Sequence, residues 1–230
     1  MTDPATPLVS VILPIHNGAR FLAEALESVA AQDYRNIEVI VVDDGSRDDG
    51  PAIAERHGAT VIRQEQRGVG AARNVGIAAS RGEILAFIDQ DDLWLPAKLR
   101  LQVEALTRSP DAICLTHQQY FFEEGVERPA WFAKPELLEA DHAGWAPSCL
   151  AVWRATFDRV GRYDASLQHA SDSDWVARAK HLDIPFEILP ETLVRRRLHR
   201  HNDSGQPAVA AELFTTLRRA AARKRSGDGS

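Results

Sequence analysis

The chain has 230 residues, 44% hydrophobic and 26% charged, with a net charge of −6 and a pI near 5.8. This is enough chain for one full core, and the acidic balance excludes a general nucleic-acid binder; Arg218 to Arg225 is locally basic and reads as a solvated tail. Met1 to Pro7 carries no signal-peptide pattern and no window approaches the ~18 apolar residues of a membrane span, so the expectation is a cytoplasmic protein with at most peripheral membrane contact.

Leu8 to Leu13 is an apolar, β-branched run bounded by Pro14 and reads as the first strand, ending in Pro14, Ile15, His16, Asn17 and Gly18. Phe21, Leu22, Ala25, Leu26 and Val29 then recur at helical spacing, predicting a helix over 20–32. Ile37 to Val42 is apolar throughout, as in a parallel strand covered on both faces, and Asp43-Asp44-Gly45-Ser46 follows it. A helix over 49–57, a short strand over 59–63, the turn Arg67 to Gly70 and a helix over 71–79 come next. Gly68 and Gly70 resemble a dinucleotide loop, but the third glycine is missing, and a closely packed helix start is the plainer reading.

Ile84 to Ile88 is a short buried strand that runs into Asp89-Gln90-Asp91-Asp92. If strand alternation continues, Asp89 and Asp91 share a face. Two carboxylates about 4 Å apart repel by about 4 kcal/mol at an effective dielectric near 20, which asks for a neutralising group such as a hard divalent cation. The bland reading is an Asp-rich turn before a helix over 96–107, with Pro96 as its first-turn proline. Strands alternating with helices at this spacing predict a mostly parallel α/β sheet flanked by helices, whose ligands gather at the strands' carboxyl ends. The Pro14 to Asn17 turn, the Asp43-Asp44 pair and the Asp89 to Asp92 cluster all fall on that edge.

The second half is less regular. Residues 112–122 read as extended, 123–147 as a long functional loop holding Trp131 and Trp145, 148–154 as a strand, and 156–160 as a short helix. His169 to Asp174 opens a helix that runs to about His181, residues 186–189 and 192–198 look extended, and 209–223 reads as a last helix before a tail. Cys114 and Cys149 have no metal-ligand spacing and are expected as buried free thiols in a reducing compartment. No linker divides two domains: one domain over 1–205 is expected, with a nucleotide-binding half over 8–95, an acceptor-side half over 96–205, and a C-terminal helix and tail over 206–230.

Five motifs in this order resemble the family-2 glycosyltransferases with the GT-A fold: Val9 to Asn17, Val42 to Ser46, Gly70 to Gly76, Gly82 to Asp92, and Ser171-Asp172 opening a helix. The match covers about residues 8–205 and is most specific in the first hundred. It implies transfer of a sugar from a nucleotide-sugar donor, a UDP-sugar in the commonest case, to an unknown acceptor nucleophile with inversion, assisted by Mg²⁺ or Mn²⁺. Carried over by motif, Pro14, His16 and Asn17 lie beside base and ribose. Asp43 or Asp44 meets the base, and Arg73 reaches the nucleotide or its phosphates. Asn74 and Gln90 belong with the donor-binding set, and Asp91 with Asp89 or Asp92 holds the metal. Asp172 matches the catalytic base.

The plainer readings stand beside these. Asp172 is equally a helix cap, and Asp174 lies two residues on, so the two cannot face one point. His199 sits in a stretch resembling the family's closing segment, as a contact to diphosphate or metal or as a solvated loop histidine. Trp131 and Trp145 read either as rings for an acceptor sugar or as buried aromatics. The chain departs from the family at His16, where many relatives have Tyr, and at Ser173, where an aromatic is usual. The competing functions are a non-catalytic nucleotide-binding module and a sugar-1-phosphate nucleotidylyltransferase.

Overall fold

A computed structural model describes residues 6–122, 132, 138, 141–199, 202, 212 and 216. Among these described residues nine strands form one sheet: β1 (Val9–Ile15), β2 (Ile37–Asp44), β3 (Thr60–Gln64), β4 (Ile84–Phe87), β5 (Leu93–Trp94), β6 (Ile113–Phe122), β7 (His142–Ala143), β8 (Ala151–Trp153) and β9 (Phe186–Leu198). Their order is β3-β2-β1-β4-β8-β6-β9-β5, with β7 beside β6. The β3-β2-β1-β4 half is wholly parallel. Beyond it, β8 runs antiparallel to both β4 and β6, and β9 is parallel to β6. Two reversals restore the direction, so β1, β2, β3, β4, β6 and β9 all end on the same edge.

Helices cover both faces, as the unbroken apolar strands require. On one face, β1 residues Val9, Val11, Leu13 and Ile15 pack with α1 (Ala19–Ala30), α2 (Gly50–Arg56) and α4 (Lys98–Arg108). On the other, Ile12, Ile40, Val42 and Phe87 pack with α3 (Val69–Ala79), α5 (Arg154–Val160) and α6 (Ser171–His181). The expectation of an α/β sheet flanked by helices holds, with a mixed second half. Cys114 and Cys149 are buried and free. Among the described residues no helix is long and apolar enough to cross a membrane.

Several boundaries move, each for a tertiary reason. Pro14 does not end the first strand. It is the sixth of seven residues, and it fits because Ile12 directs its carbonyl toward β4, where it meets the Ile88 N–H, and the β4 ladder stops before position 14. Asp43 and Asp44 lie inside β2, paired with Arg63 and Gln64 of β3. Strand β4 stops at Phe87, one residue short of the apolar run. Leu93–Trp94 forms an edge strand on β9. Pro96 precedes the Ala97 N-cap of α4 instead of opening the helix, and its carbonyl accepts the Asp33 N–H. The two extended stretches near the C-terminus are one strand, β9, irregular where His117 of β6 pairs with Thr192. Trp131, most of the 123–140 loop, the tail, and all of the 209–223 helix except positions 212 and 216 lie outside the described residues.

Candidate active site

The residues after β4 set the geometry of the edge. The Asp92 N–H closes a turn on the Asp89 carbonyl at 3.2 Å, so strand alternation ends and the three carboxylates diverge. Asp89 Oδ1 accepts from Arg73 Nη2 at 2.7 Å. Asp91 Oδ2 lies 2.9 Å from His199 Nε2 and 3.2 Å from Asn202 Nδ2. Asp92 accepts the Ser148 hydroxyl at 2.5 Å, Arg196 Nε at 3.3 Å and the Arg197 N–H at 3.3 Å. The expected face-to-face repulsion of Asp89 and Asp91 is therefore corrected, because each carboxylate meets its own cation or donor.

These partners separate candidate ligands from structural ones. Asp92 is 1% exposed and its two oxygens are spent on protein donors, which takes it out of the metal set. Burial lifts its carboxyl to about 7, against the pull of Arg196. The Asp91–His199 pair offers a carboxylate oxygen and an imidazole nitrogen side by side, a donor set that suits Mg²⁺ or Mn²⁺ completed by diphosphate oxygens and water. Among the described residues no group of three or more His, Cys, Asp and Glu is arranged to hold a metal by itself. His199 is not a solvated loop histidine: its side chain is 12% exposed and its ring packs on Phe21, centroids 4.8 Å apart.

Arg73 joins the strand edge to α6. Its side chain is 4% exposed, its guanidinium lies over the Tyr163 ring at 5.6 Å, and its Nε is buried without a hydrogen-bond partner. Though burial opposes the charged form, Asp89 and then Tyr163 and Asp172 hold the guanidinium protonated more firmly than usual. Asp172 is the second residue of α6, not its cap; Ala170 occupies the N-cap position. Burial pushes the Asp172 carboxyl above its ordinary range, while Arg73 and the Ser173 N–H, 2.7 Å away, pull it back. Asp174 is 1% exposed and paired with Arg178 at 2.8 Å, one turn along the same helix. That removes Asp174 from the reacting edge.

The strand ends that carry the remaining candidates mostly hold one another. Asp44 accepts Gln64 Nε2 at 2.6 Å and the Arg67 and Gly68 N–H groups at 2.8 Å each, clamping the loop that enters α3. Asp43 Oδ1 accepts the Ser46 N–H at 2.8 Å and so shapes the turn after β2. His16 donates from Nδ1 to the Asp44 carbonyl at 2.9 Å; its Nε2, left as the acceptor, faces Asn17 Nδ2 at 3.0 Å and Gln66 Nε2 at 3.3 Å. Asn17, in the left-handed region at φ 50°, accepts the Arg47 N–H at 2.8 Å. Gln90 accepts the His16 N–H at 2.9 Å, and its amide sits so close to Gly18 that a Cβ there would lie 2.1 Å from Oε1. Asn74 uses both ends of its amide on the Tyr163 backbone, at 2.9 and 3.0 Å. Gln90 and Asn74 thus act on backbone, as clamps that shape the site, where contacts to the donor were expected.

Ser148 and Arg196 were missed as site residues, and Arg197 and Asn202 were read only as parts of the closing segment around His199. Ser148 is fully buried, accepts the Asp89 N–H at 3.1 Å, and through its carbonyl accepts Trp94 Nε1 at 2.9 Å. Arg197 donates to the Asp91 carbonyl at 3.2 Å and to Glu24 at 2.7 Å. The available signal was Arg195-Arg196-Arg197 in an extended segment that runs straight into His199. For Ser148 there was none.

A family model described as Glycosyl transferase family 2 matches residues 10–201. The chain belongs to that family. This family-2 chain is 31% identical over 208 residues to an uncharacterised glycosyltransferase of Rickettsia typhi, covering 84% of its own length and 65% of the relative's. To another from Rickettsia felis it is 41% identical over 214 residues, covering 86% and 35%. It spans less than two thirds of either relative. The crystal structure of TarS residues 1–349 from S. aureus, in complex with UDP-GlcNAc, superposes with a TM-score of 0.74 at 21% identity, covering 94% of this chain and 66% of that one. The family-2 chain shares its GT-A fold.

Proposed function

We propose that this chain is the catalytic part of an inverting glycosyltransferase that takes a sugar from a UDP-sugar, aided by Mg²⁺ or Mn²⁺, and passes it to an acceptor hydroxyl. The observation that carries the reading is the Arg73–Asp89 ion pair at the carboxyl end of β4, with Asp172 at the start of α6 within electrostatic reach of Arg73, beside the Asp91–His199 pair. That TarS was solved with UDP-GlcNAc and with UDP supports the choice of nucleotide.

In this reading Pro14, Asn17 and Asp43 flank the nucleoside, with Asp44 and His16 shaping the wall behind it. Asp91, His199 and Asp89 hold the metal, which when bound neutralises charge on the departing diphosphate. Arg73 stands between Asp89 and Asp172 and balances both carboxylates as the donor arrives. Asp172 takes the proton from the acceptor hydroxyl. Its half-buried carboxyl, raised toward neutrality, suits a general base, a role typically worth about 10²- to 10⁴-fold. Attack from the side opposite the leaving group gives inversion. Trp145, 41% exposed, packs on Phe186 at the start of β9 and under Lys180 near the far end of α6, so it stands away from Asp172 and is no acceptor platform in this reading.

The test is a thermal-shift panel of nucleoside diphosphates and nucleotide sugars, each with and without Mn²⁺. A ligand at 100 times its dissociation constant adds about 2.7 kcal/mol to the folded state, which a melting curve resolves. UDP and one UDP-sugar should raise the melting temperature only with metal. A panel without any shift sinks the donor assignment.

A further inference from the structure

We propose that Glu212 is a positioning residue for the base side of the site: its carboxylate fixes the loop that launches α6 and thereby sets Asp172. The proposal rests on the reading of Asp172 as the base. Helix α6 has no side-chain cap of its own, with Ala170 at the N-cap, and the Asp172 carboxylate bonds the neighbouring Ser173 N–H. The loop that leads into α6 is instead held from 42–44 residues downstream. Glu212 Oε2 accepts the N–H groups of His169 at 2.8 Å and Ala170 at 3.1 Å, and Oε1 accepts that of Gln168 at 3.1 Å. Three consecutive backbone donors thus converge on one carboxylate, at the helix end where negative charge is favoured. Against the upward push of burial, these N–H groups hold the Glu212 carboxyl below its ordinary range.

The contact belongs to a docked face. Glu212 and Thr216 are both helical and one turn apart, and Thr216 is 1% exposed. On the other side, the fully buried Ser171 lies against Gly70 of α3, where a Cβ would come within 2.8 Å of its hydroxyl. The start of α6 is therefore held between α3, which carries Arg73, and the Glu212 carboxylate. Releasing one side lets Asp172 drift from its place beside Arg73. Glu212 bonds the loop and not the reacting groups, so its effect should fall on turnover and spare the donor.

Glu212→Ala should lower kcat by about 10- to 100-fold, the usual effect of losing an orienting group behind a reactive one, with UDP affinity by titration calorimetry in Mn²⁺ unchanged within about threefold. Glu212→Gln keeps an oxygen acceptor and should recover most of that loss. Wild-type turnover in Glu212→Ala overturns the proposal. So does a parallel fall of kcat and UDP affinity in both variants, which is the mark of general damage. Hydrogen exchange of the 168–172 amides gives a readout free of turnover: faster exchange in Glu212→Ala upholds the positioning role, and unchanged exchange overturns it. If wild-type protein binds UDP but transfers nothing, the base reading fails while the exchange comparison still decides what Glu212 does.

Discussion

The two halves of the sheet build their share of the site in opposite ways. In the parallel half the bonds around Asp44 and Arg73 are short in sequence: Asp44 reaches Gly68 across 24 residues and Arg73 reaches Asp89 across 16, while Gln90 reaches His16 across 74. In the mixed half they are long. Asp92 meets Arg196 across 104 residues, Asp91 meets His199 across 108, and the Asp89 N–H meets Ser148 across 59. Crossover units gather the ends of β1 to β4 on one edge, so local motifs mark most of that half. The antiparallel β8 restarts the sheet in the second half, and its residues complete turns that the first half began. Donor binding and turnover should therefore separate by mutation.

The largest expected effect is on the base. Asp172→Asn should cut transfer by about 10²- to 10⁴-fold while UDP binding with Mn²⁺ stays intact, measured as kcat beside calorimetric affinity. If full turnover survives, Asp172 is a helix residue and nothing more. Asp91→Ala touches both halves at once, because it removes the partner of His199 and Asn202. Metal-dependent UDP affinity should fall by at least about tenfold, and unchanged affinity would remove the pair from the donor site.

Smaller effects sharpen the comparison through stability. Lys98 is fully buried, bonded to Gln102 at 2.7 Å under the Trp94 ring, and burial lowers its ammonium to about 7. The folded state holds fewer protons than the unfolded chain between about 7 and the ordinary lysine range, so stability rises with pH in that window. The gain should be about 2 kcal/mol from pH 7 to 9, and Lys98→Met should abolish the slope in a pH series of denaturant melts. Ser148→Ala leaves the Asp89 N–H without its partner and strips a donor from Asp92, a loss of about 1–3 kcal/mol. A loss no greater than that of an exposed serine would show that the two halves are not joined there.

Much of the donor half was legible because its signals are local. The apolar run into Asp89, Asp91 and Asp92, the Asp43-Asp44 pair and the Arg73 helix all stand at strand or helix ends that hydrophobic periodicity marks. The carboxylates' directions were not legible. A turn after Phe87 replaced strand alternation; Arg73 and Arg196 supplied the charge that repulsion between aspartates seemed to demand, and Asp91 met a ring nitrogen of His199. Asn74 and Gln90 sit in motif positions, but only the neighbouring backbone shows that their amides are spent on Tyr163 and His16. Ser148 and Glu212 act through bonds that no local pattern announces.

By itself the sequence determined the α/β class, the edge on which polar groups gather, and the aspartates that stand there, because burial periodicity and strand polarity are properties of short stretches. Tertiary structure alone decided which carboxylate faces which cation, that Asp92 is buried and Asp91 open to His199, and that Glu212 holds the loop before the helix of Asp172. Those outcomes depend on chain segments brought together from up to 173 residues apart, and pairings at that range are fixed only when the whole sheet closes.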